Sequence, residues 1–225
     1  MATSGTAIST TALGAVPIFA SFTPEQLRGL ATMVMRRSAP RGTALIREGD
    51  VADCLYVVMS GRVKVMMGEA DGKETILSIL GPGDFCGEMG LIDDNPRSAS
   101  VIAIEACDLL ALTRQAFRKC LVENAGLAMA VMRVLVRRLR EADRKIGSLA
   151  MLDVYGRVAR LLLDMSDLVD GKRVVTRRLT KQDIAKMIGA SREMVHKVMK
   201  DLQTSGYIEV QGSTIVLRDA KLPSH

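Results

Sequence analysis

The chain contains no tryptophan, and aromatic residues make up only 3% of its 225 positions. Its core must therefore rest on aliphatic side chains and the 14 methionines, which suits packed helices and short Val/Ile strands. The same scarcity argues against a stacking platform for single-stranded nucleic acid. Long apolar runs are missing too: mean hydropathy is +0.18, and no window of about 18 uncharged apolar residues occurs, which excludes a membrane-spanning helix. The four cysteines, at 54, 86, 107 and 120, form no CxxC pair and have no histidine nearby, so neither a zinc site nor a disulfide scaffold follows. Ala12 to Ala20 is apolar, but no positive segment precedes it, and Pro17 and Phe19 spoil a small-residue cleavage site. A soluble, cytoplasmic protein with reduced thiols and no membrane partner is expected. The chain also lacks a nucleophile with a base beside it, a GK[ST] phosphate loop and metal-ligand spacing, so neither an enzyme nor a metal site is expected.

What the sequence does have is positive charge in one place. Lys plus Arg number 31 against 25 acidic residues, a formal +6. Between Lys172 and Lys200, nine basic residues face two acidic ones, a local +7 that exceeds the excess of the whole chain. Such clustering is the footprint of a nucleic-acid-binding segment.

The pattern along the chain suggests four parts. Residues 1–14 read as a disordered tail, because Ser, Thr, Ala and Gly dominate its start. Residues 15–120 hold recurrent glycine turns, at Gly42, Gly49, Gly61, Gly72 and Gly81 to Gly83, between short runs such as LYVVMS and TILSIL. Many short strands with evenly spaced turns indicate a β-barrel or jelly roll. Residues 121–152 carry apolar side chains at 128, 131, 135, 139, 142, 146 and 149, the stripe of one long helix, bordered by charged residues such as Arg133, Arg137, Arg138 and Arg144. A second copy of the helix would bury this stripe and make a homodimer; packing on the chain's own barrel is the alternative. Residues 153–225 read as a small α-rich domain beyond a hinge near Leu152 and Asp153.

Within that last part, LTKQDIAKMIGASREMVHKVMKDL has the form of a helix-turn-helix. Thr180 can cap a first helix with Ile184 and Ile188 facing inward, and Gly189 allows the tight turn. Ser191 can cap a second helix, to about Gln203, that buries Val195, Val198, Met199 and Leu202. The other side of this helix presents Arg192, Glu193, His196, Lys197 and Lys200 to double-stranded DNA: Arg192 to a guanine, Glu193 to a cytosine amine, Lys197 to a guanine or phosphate. His196 reads as a phosphate contact or a bystander. A solvated helix hairpin is the bland alternative. Gly206 to Leu217 then reads as a hairpin wing.

The segment GEMGLIDDNPRSASV, Gly87 to Val101, combines a close-approach glycine, a carboxylate and an arginine beside a serine. Glu88 can accept from a ribose hydroxyl, Arg97 can form a charge-assisted fork to a phosphate, and Ser98 with main-chain N–H groups can complete an anion site. On these residues alone, a Glu88 to Arg97 ion pair stapling a loop explains the motif equally well.

The order of β-roll, GEMGL…PRSAS cassette, long helix ending GSLAMLDVYGRVA and then SREMVHKVMKDL closely resembles the Crp/Fnr family of bacterial transcription regulators, from about Pro17 to Leu217. The resemblance implies an α+β fold: an N-terminal cyclic-nucleotide-binding β-roll, a long dimerisation helix and a C-terminal winged helix-turn-helix. It implies a homodimer on an inverted-repeat operator with half-sites similar to TGTGA, RNA polymerase as a partner, and cyclic AMP as allosteric ligand. It also implies nucleotide-binding roles for Gly87, Glu88, Met89, Arg97 and Ser98, with Val65, Leu77 and Leu80 as apolar lining. Where cyclic-AMP-binding members carry a Thr-Ser pair on the long helix, this chain has Ala142 and Asp143. The two oxygens of Asp143 match the adjacent donors of guanine, which brings in cyclic GMP or cyclic di-GMP (c-di-GMP); an ion pair of Asp143 with Arg140 or Arg144 is the alternative. Lys197 also replaces an Arg of the family, and Lys cannot make a two-pronged contact. Family members that sense redox state or gas use an N-terminal cysteine cluster or a haem-binding histidine, and the first 50 residues here contain neither residue type.

Overall fold

The computed structural model describes residues 8–68, 74–176, 179–212 and 214–218. The chain forms two compact units, one up to Arg138 and one from Leu139. The division falls inside the long helix, whereas the sequence places boundaries at that helix's two ends.

The first unit opens with α1 (Thr10–Gly14), a 3-10 turn at Pro17–Phe19 and α2 (Pro24–Met33). A reciprocal capping box starts α2: the Thr23 hydroxyl accepts from Gln26 N (3.2 Å) and the Gln26 side chain accepts from Thr23 N (2.9 Å). Then follow β1 (Val34–Ala39), β2 (Ala44–Ile46), β3 (Cys54–Ser60), β4 (Val63–Gly68), β5 (Glu74–Leu80), β6 (Phe85–Cys86), α3 (Met89–Ile92), β7 (Ser100–Ala103), β8 (Cys107–Thr113) and α4 (Arg114–Glu123). The strands make two antiparallel sheets, ordered β1-β8-β3-β6 and β2-β7-β4-β5.

Strand β3 explains how the layers stack. Its first five residues are all buried, because both of its faces are covered. Cys54, Tyr56 and Val58 join the interior cluster with Val63, Leu80, Cys86, Val101 and Leu109. Leu55 and Val57 point the other way, into a helical layer with Leu30, Phe117 and Leu127. The hairpin after β3 depends on Gly61: with φ +78, a Cβ there would stand 2.3 Å from Ala106 O.

The expected tail is corrected for its last residues. Residues 1–7 lie outside the described residues, but α1 is helical and Leu13 is fully buried in the helical-layer core with Val16, Ile18 and Phe19. Averaged composition hides these apolar anchors.

Helix α5 (Ala125–Met151) is continuous for 27 residues. Leu127 and Val131 are buried, and Val134 and Leu135 pack against the first unit's core, as the own-barrel alternative requires. Of the rest of the stripe, Leu139, Ile146 and Leu149 are exposed, and Met132 and Val136 beside it are exposed as well. Among the described residues no helix is long and apolar enough to cross a membrane.

The second unit continues with α6 (Val154–Asp164), β9 (Asp167–Val169), β10 (Lys172–Val175), α7 (Lys181–Ile188), α8 (Arg192–Thr204), β11 (Ile208–Gln211) and β12 (Thr214–Leu217). Asp153 caps α6 by accepting from Gly156 N (2.8 Å). The expected C-terminal hairpin is present as β11 and β12, but it belongs to a four-stranded antiparallel sheet ordered β11-β12-β10-β9. The sequence suggests only a turn at Gly171, because the residues of β9 are all exposed and show no apolar alternation.

Candidate functional site

The cassette begins where β6 ends. Gly87 takes φ +87, and a Cβ on it would come 2.5 Å from Arg97 Nη1 and 3.1 Å from Cys54 O. The backbone must pass that close for Arg97 to be held. Arg97 is 6% exposed and donates from Nη1 to Gly87 O (2.7 Å) and from Nη2 to Cys54 O (2.6 Å) and Asp53 Oδ1 (3.0 Å). Its main chain is fixed as well: Arg97 N donates to Asp50 O (2.9 Å), and Gly49 N donates to Arg97 O (2.9 Å). Burial raises the Asp53 carboxyl, but hydrogen bonds from Cys54 and its own backbone, together with the Arg97 charge, bring it below its ordinary value.

Glu88 does not pair with Arg97. It is 2% exposed, and its Oε1 accepts from Arg138 Nη1 at 2.7 Å. Arg138 also donates to Phe85 O, and its guanidinium lies 4.9 Å from the centre of the Phe85 ring. The alternative of a Glu88 to Arg97 staple is therefore corrected: Glu88 pairs with Arg138 and Arg97 with Asp53, so each side chain has its own counter-charge. Sequence reasoning missed Arg138 and Asp53. A buried carboxylate demands a counter-ion, but nothing in the sequence distinguishes Arg138 from the other arginines of α5.

The remaining pocket residues divide. Leu80 is buried in the interior cluster and Val65 packs against it. Met89 and Ser98 are exposed beside the cassette, with the Ser98 hydroxyl 3.6 Å from Met89 Sδ. Leu77 falls outside the interior cluster and is 38% exposed. The reason is a register shift: Val65 pairs with Ser78 and Met66 with Ile76, so Leu77 is skipped. Ala142 and Asp143 are exposed on the part of α5 that belongs to the second unit. The expected alternative of an ion pair with Asp143 is not formed: among the described residues, Arg144 Nε instead donates to Arg140 O (3.2 Å).

In the second unit, α7 starts with a capping box between Thr180 and Asp183: the Thr180 hydroxyl accepts from Asp183 N (3.0 Å), and Asp183 Oδ2 accepts from Thr180 N (3.1 Å). It ends at Gly189 with φ +63, and Arg157 Nη1 donates to Ile188 O (2.9 Å). Ser191 caps α8 by accepting from Met194 N (3.1 Å). Val195, Val198, Met199 and Leu202 are buried, whereas Arg192, Glu193, His196, Lys197 and Lys200 are exposed. His196 Nδ1 contacts Lys181 Nζ, so that histidine joins α8 to the start of α7. Met194, 45% exposed on the same helix, escaped the sequence reading. Apolar groups there suit thymine methyls. Arg177 and Arg178, part of the basic cluster, lie outside the described residues.

Comparison with known proteins shows what the two units are similar to. Residues 36–124 match the cyclic nucleotide-binding domain family, and residues 156–222 match the Crp-like helix-turn-helix domain family. The chain is 33% identical over 208 residues to the CRP-like cAMP-activated global transcriptional regulator of Mycobacterium tuberculosis, covering 91% of this chain and 93% of that one. It is 36% identical over 185 residues to the cAMP-activated global transcriptional regulator CRP of Salmonella typhimurium, covering 79% and 87%. Among solved structures, the c-di-GMP responsive global regulator CLP of Xanthomonas campestris aligns with a TM-score of 0.72 and 32% identity, covering 84% of this chain and 96% of that one. The catabolite activator protein of Thermus thermophilus aligns with a TM-score of 0.54 and 32% identity, covering 92% and 95%.

Proposed function

Because the chain belongs to the Crp/Fnr family of transcription regulators, whose members similar to it are regulators and not enzymes, we propose that it is a cytoplasmic, cyclic-AMP-responsive homodimer that binds an inverted-repeat operator. The observation that carries the ligand reading is the buried Arg97 guanidinium held beside the Gly87 turn, a fixed cation within the cassette. The cyclic phosphate takes Arg97 and Ser98, the ribose hydroxyl shares Glu88 with Arg138, and Val65 and Leu80 supply apolar lining. Dimerisation covers the exposed stripe of Leu139, Ile146 and Leu149.

The two recognition helices then enter successive major grooves about 34 Å apart, with Arg192, Glu193 and Lys197 on base edges and Thr180, Ser191, His196 and Lys200 nearer the backbone. Nucleotide acts through its greater affinity for the DNA-competent state. The paired α5 helices carry the coupling, with a change at Gly147 to Asp153 as the switch. RNA polymerase reads the result at the promoter.

A second reading is favoured by Asp143, which replaces a hydroxyl and makes no ion pair with Arg140 or Arg144. Under it, the ligand is a guanine nucleotide, cyclic GMP or c-di-GMP, in keeping with the c-di-GMP responsive relative. Calorimetric titration with all three nucleotides, with and without operator DNA, separates the readings. Tight cyclic AMP binding that strengthens DNA affinity supports the first. A guanine preference that Asp143→Ala abolishes supports the second, and binding of none of them leaves a ligand-independent regulator.

A further inference from the structure

We propose that Arg114 and Arg118, at the start of α4, are positioning residues for the nucleotide pocket, holding the Gly87–Ser98 segment in its binding geometry without touching the ligand. The inference rests on reading that segment as a cyclic-nucleotide site. Helix α3 within it has only four residues. A single turn is not stable by itself, and its last carbonyls have no following turn to donate to them.

Two guanidiniums from α4 supply those donors. Arg114 Nη2 reaches Gly90 O (3.1 Å), and Arg118 Nε reaches Leu91 O (3.0 Å). Just past α3, Asp94 adopts φ +62, which few residues other than glycine take up. Its Oδ1 accepts from Arg118 Nη2 (2.7 Å) and from Arg114 Nη1, which fixes the turn. The Arg118 hydrogen bond holds the Asp94 carboxyl below the usual carboxylate range, so the clamp is charged at neutral pH and dissolves only as pH falls through that lowered value.

Arg114 also grips the other wall of the pocket. Its Nε and Nη2 donate to Ala52 O (3.1 and 2.6 Å), and its backbone N donates to Asp53 O (2.8 Å). Asp53 is the residue whose carboxylate takes Arg97. Gly90 leaves no slack between the walls, since a Cβ on it would stand 2.7 Å from Ala52 Cβ and 2.5 Å from Asn95 O. One side chain thus joins the loop that orients Arg97 to the turn that follows Glu88. Packing of α4 does not require this, because Phe117 and Cys120 already bury its inner face.

The test uses the full chain carrying Asp94→Asn, Arg118→Gln or Arg114→Lys. Each variant is measured for cyclic AMP, cyclic GMP and c-di-GMP affinity by calorimetry, and for amide hydrogen exchange across residues 87–98 without nucleotide. Leu30→Val, in the core beneath α2, is the control for general destabilisation. Positioning predicts roughly fivefold to tenfold weaker binding for Asp94→Asn and Arg118→Gln, with no further loss when the two are combined. It also predicts faster exchange confined to 87–98, partial retention in Arg114→Lys, and unchanged affinity in Leu30→Val despite a lower thermal midpoint. Native-like affinity and exchange in all three clamp variants overturn the role. If the unmodified protein binds none of the nucleotides, the reading of the pocket fails instead, and the exchange data alone still decide whether the clamp orders the segment.

Discussion

Arg97 is a permanent cation at 6% exposure; among the described residues its carboxylate partner is Asp53, whose side chain is 78% exposed. Buried charge is costly unless paired and hydrogen-bonded, and Arg97 is both; under the proposed function, a cyclic phosphate adds a second anionic partner to a guanidinium already held in place. Arg97→Ala is expected to weaken cyclic-nucleotide binding by about a hundredfold, the effect of losing charge-assisted contacts of up to about 3 kcal/mol. The variant should remain a folded dimer with a lower melting temperature, because Gly87 O and Cys54 O each lose a donor. Calorimetry beside thermal unfolding checks both, and a melting point that falls with affinity untouched would make Arg97 purely structural. The cysteines give a second expectation at this scale. Burial pushes the Cys86 thiol up to about 12 and also raises Cys54, Cys107 and Cys120. Only thiolates react, so a thiol reagent at neutral pH should label the native protein slowly and all four cysteines rapidly after unfolding. Fast labelling of one native cysteine would reopen a redox role. Residues such as Gly87, Glu88 and Arg97 are legible in the sequence because their types sit together in one short motif. Arg138 and Asp53 are not, since they reach the motif from 50 positions after Glu88 and 44 before Arg97.

At the scale of elements, legibility follows how strongly a segment states its period. The strands around the interior cluster, the capped α7 and α8 and the long α5 all announce themselves through apolar spacing. The hairpin of β9 and β10 does not, although Asp170 and Gly171, with φ +49 and +74, form the two-residue turn that an Asp-Gly pair favours. With β9 wholly exposed and only Val175 of β10 buried, turn chemistry is the strongest cue the segment offers. For α5, the exposed half of the stripe carries the expectation: Leu139→Arg with Ile146→Arg should give a folded monomer by light scattering, because both side chains are more than 60% exposed in the single chain. A dimer that survives both changes would place the interface elsewhere. On α8, whose outward face is set by burial of Val195, Val198 and Leu202, Arg192→Ala should cost about 1 to 3 kcal/mol per half-site and relax preference at one base. Equal weakening on all sequences, measured by competition binding, would reassign Arg192 to the phosphates.

For the molecule as a whole, charge and function divide together. Residues 139–225 contain 16 basic and 11 acidic side chains, a net +5, whereas residues 1–138 are nearly balanced at 15 against 14. DNA affinity should therefore fall steeply with salt, by about a thousandfold or more between 50 and 200 mM if roughly six phosphates are neutralised. Nucleotide affinity, resting on a buried guanidinium, should change little over the same range, since buried pairs are weakly screened. Under the proposed mechanism the two ligands share one coupling free energy. If nucleotide strengthens operator binding by some factor, operator must strengthen nucleotide binding by that same factor. Measuring each affinity with and without the other ligand, at one salt concentration, should return equal factors in the unmodified protein. In the Leu139→Arg, Ile146→Arg monomer both factors should shrink towards one while the pocket still binds nucleotide. Coupling that persists in the monomer would mean that communication runs within a single chain, and the paired helices would then serve spacing on DNA and not transmission.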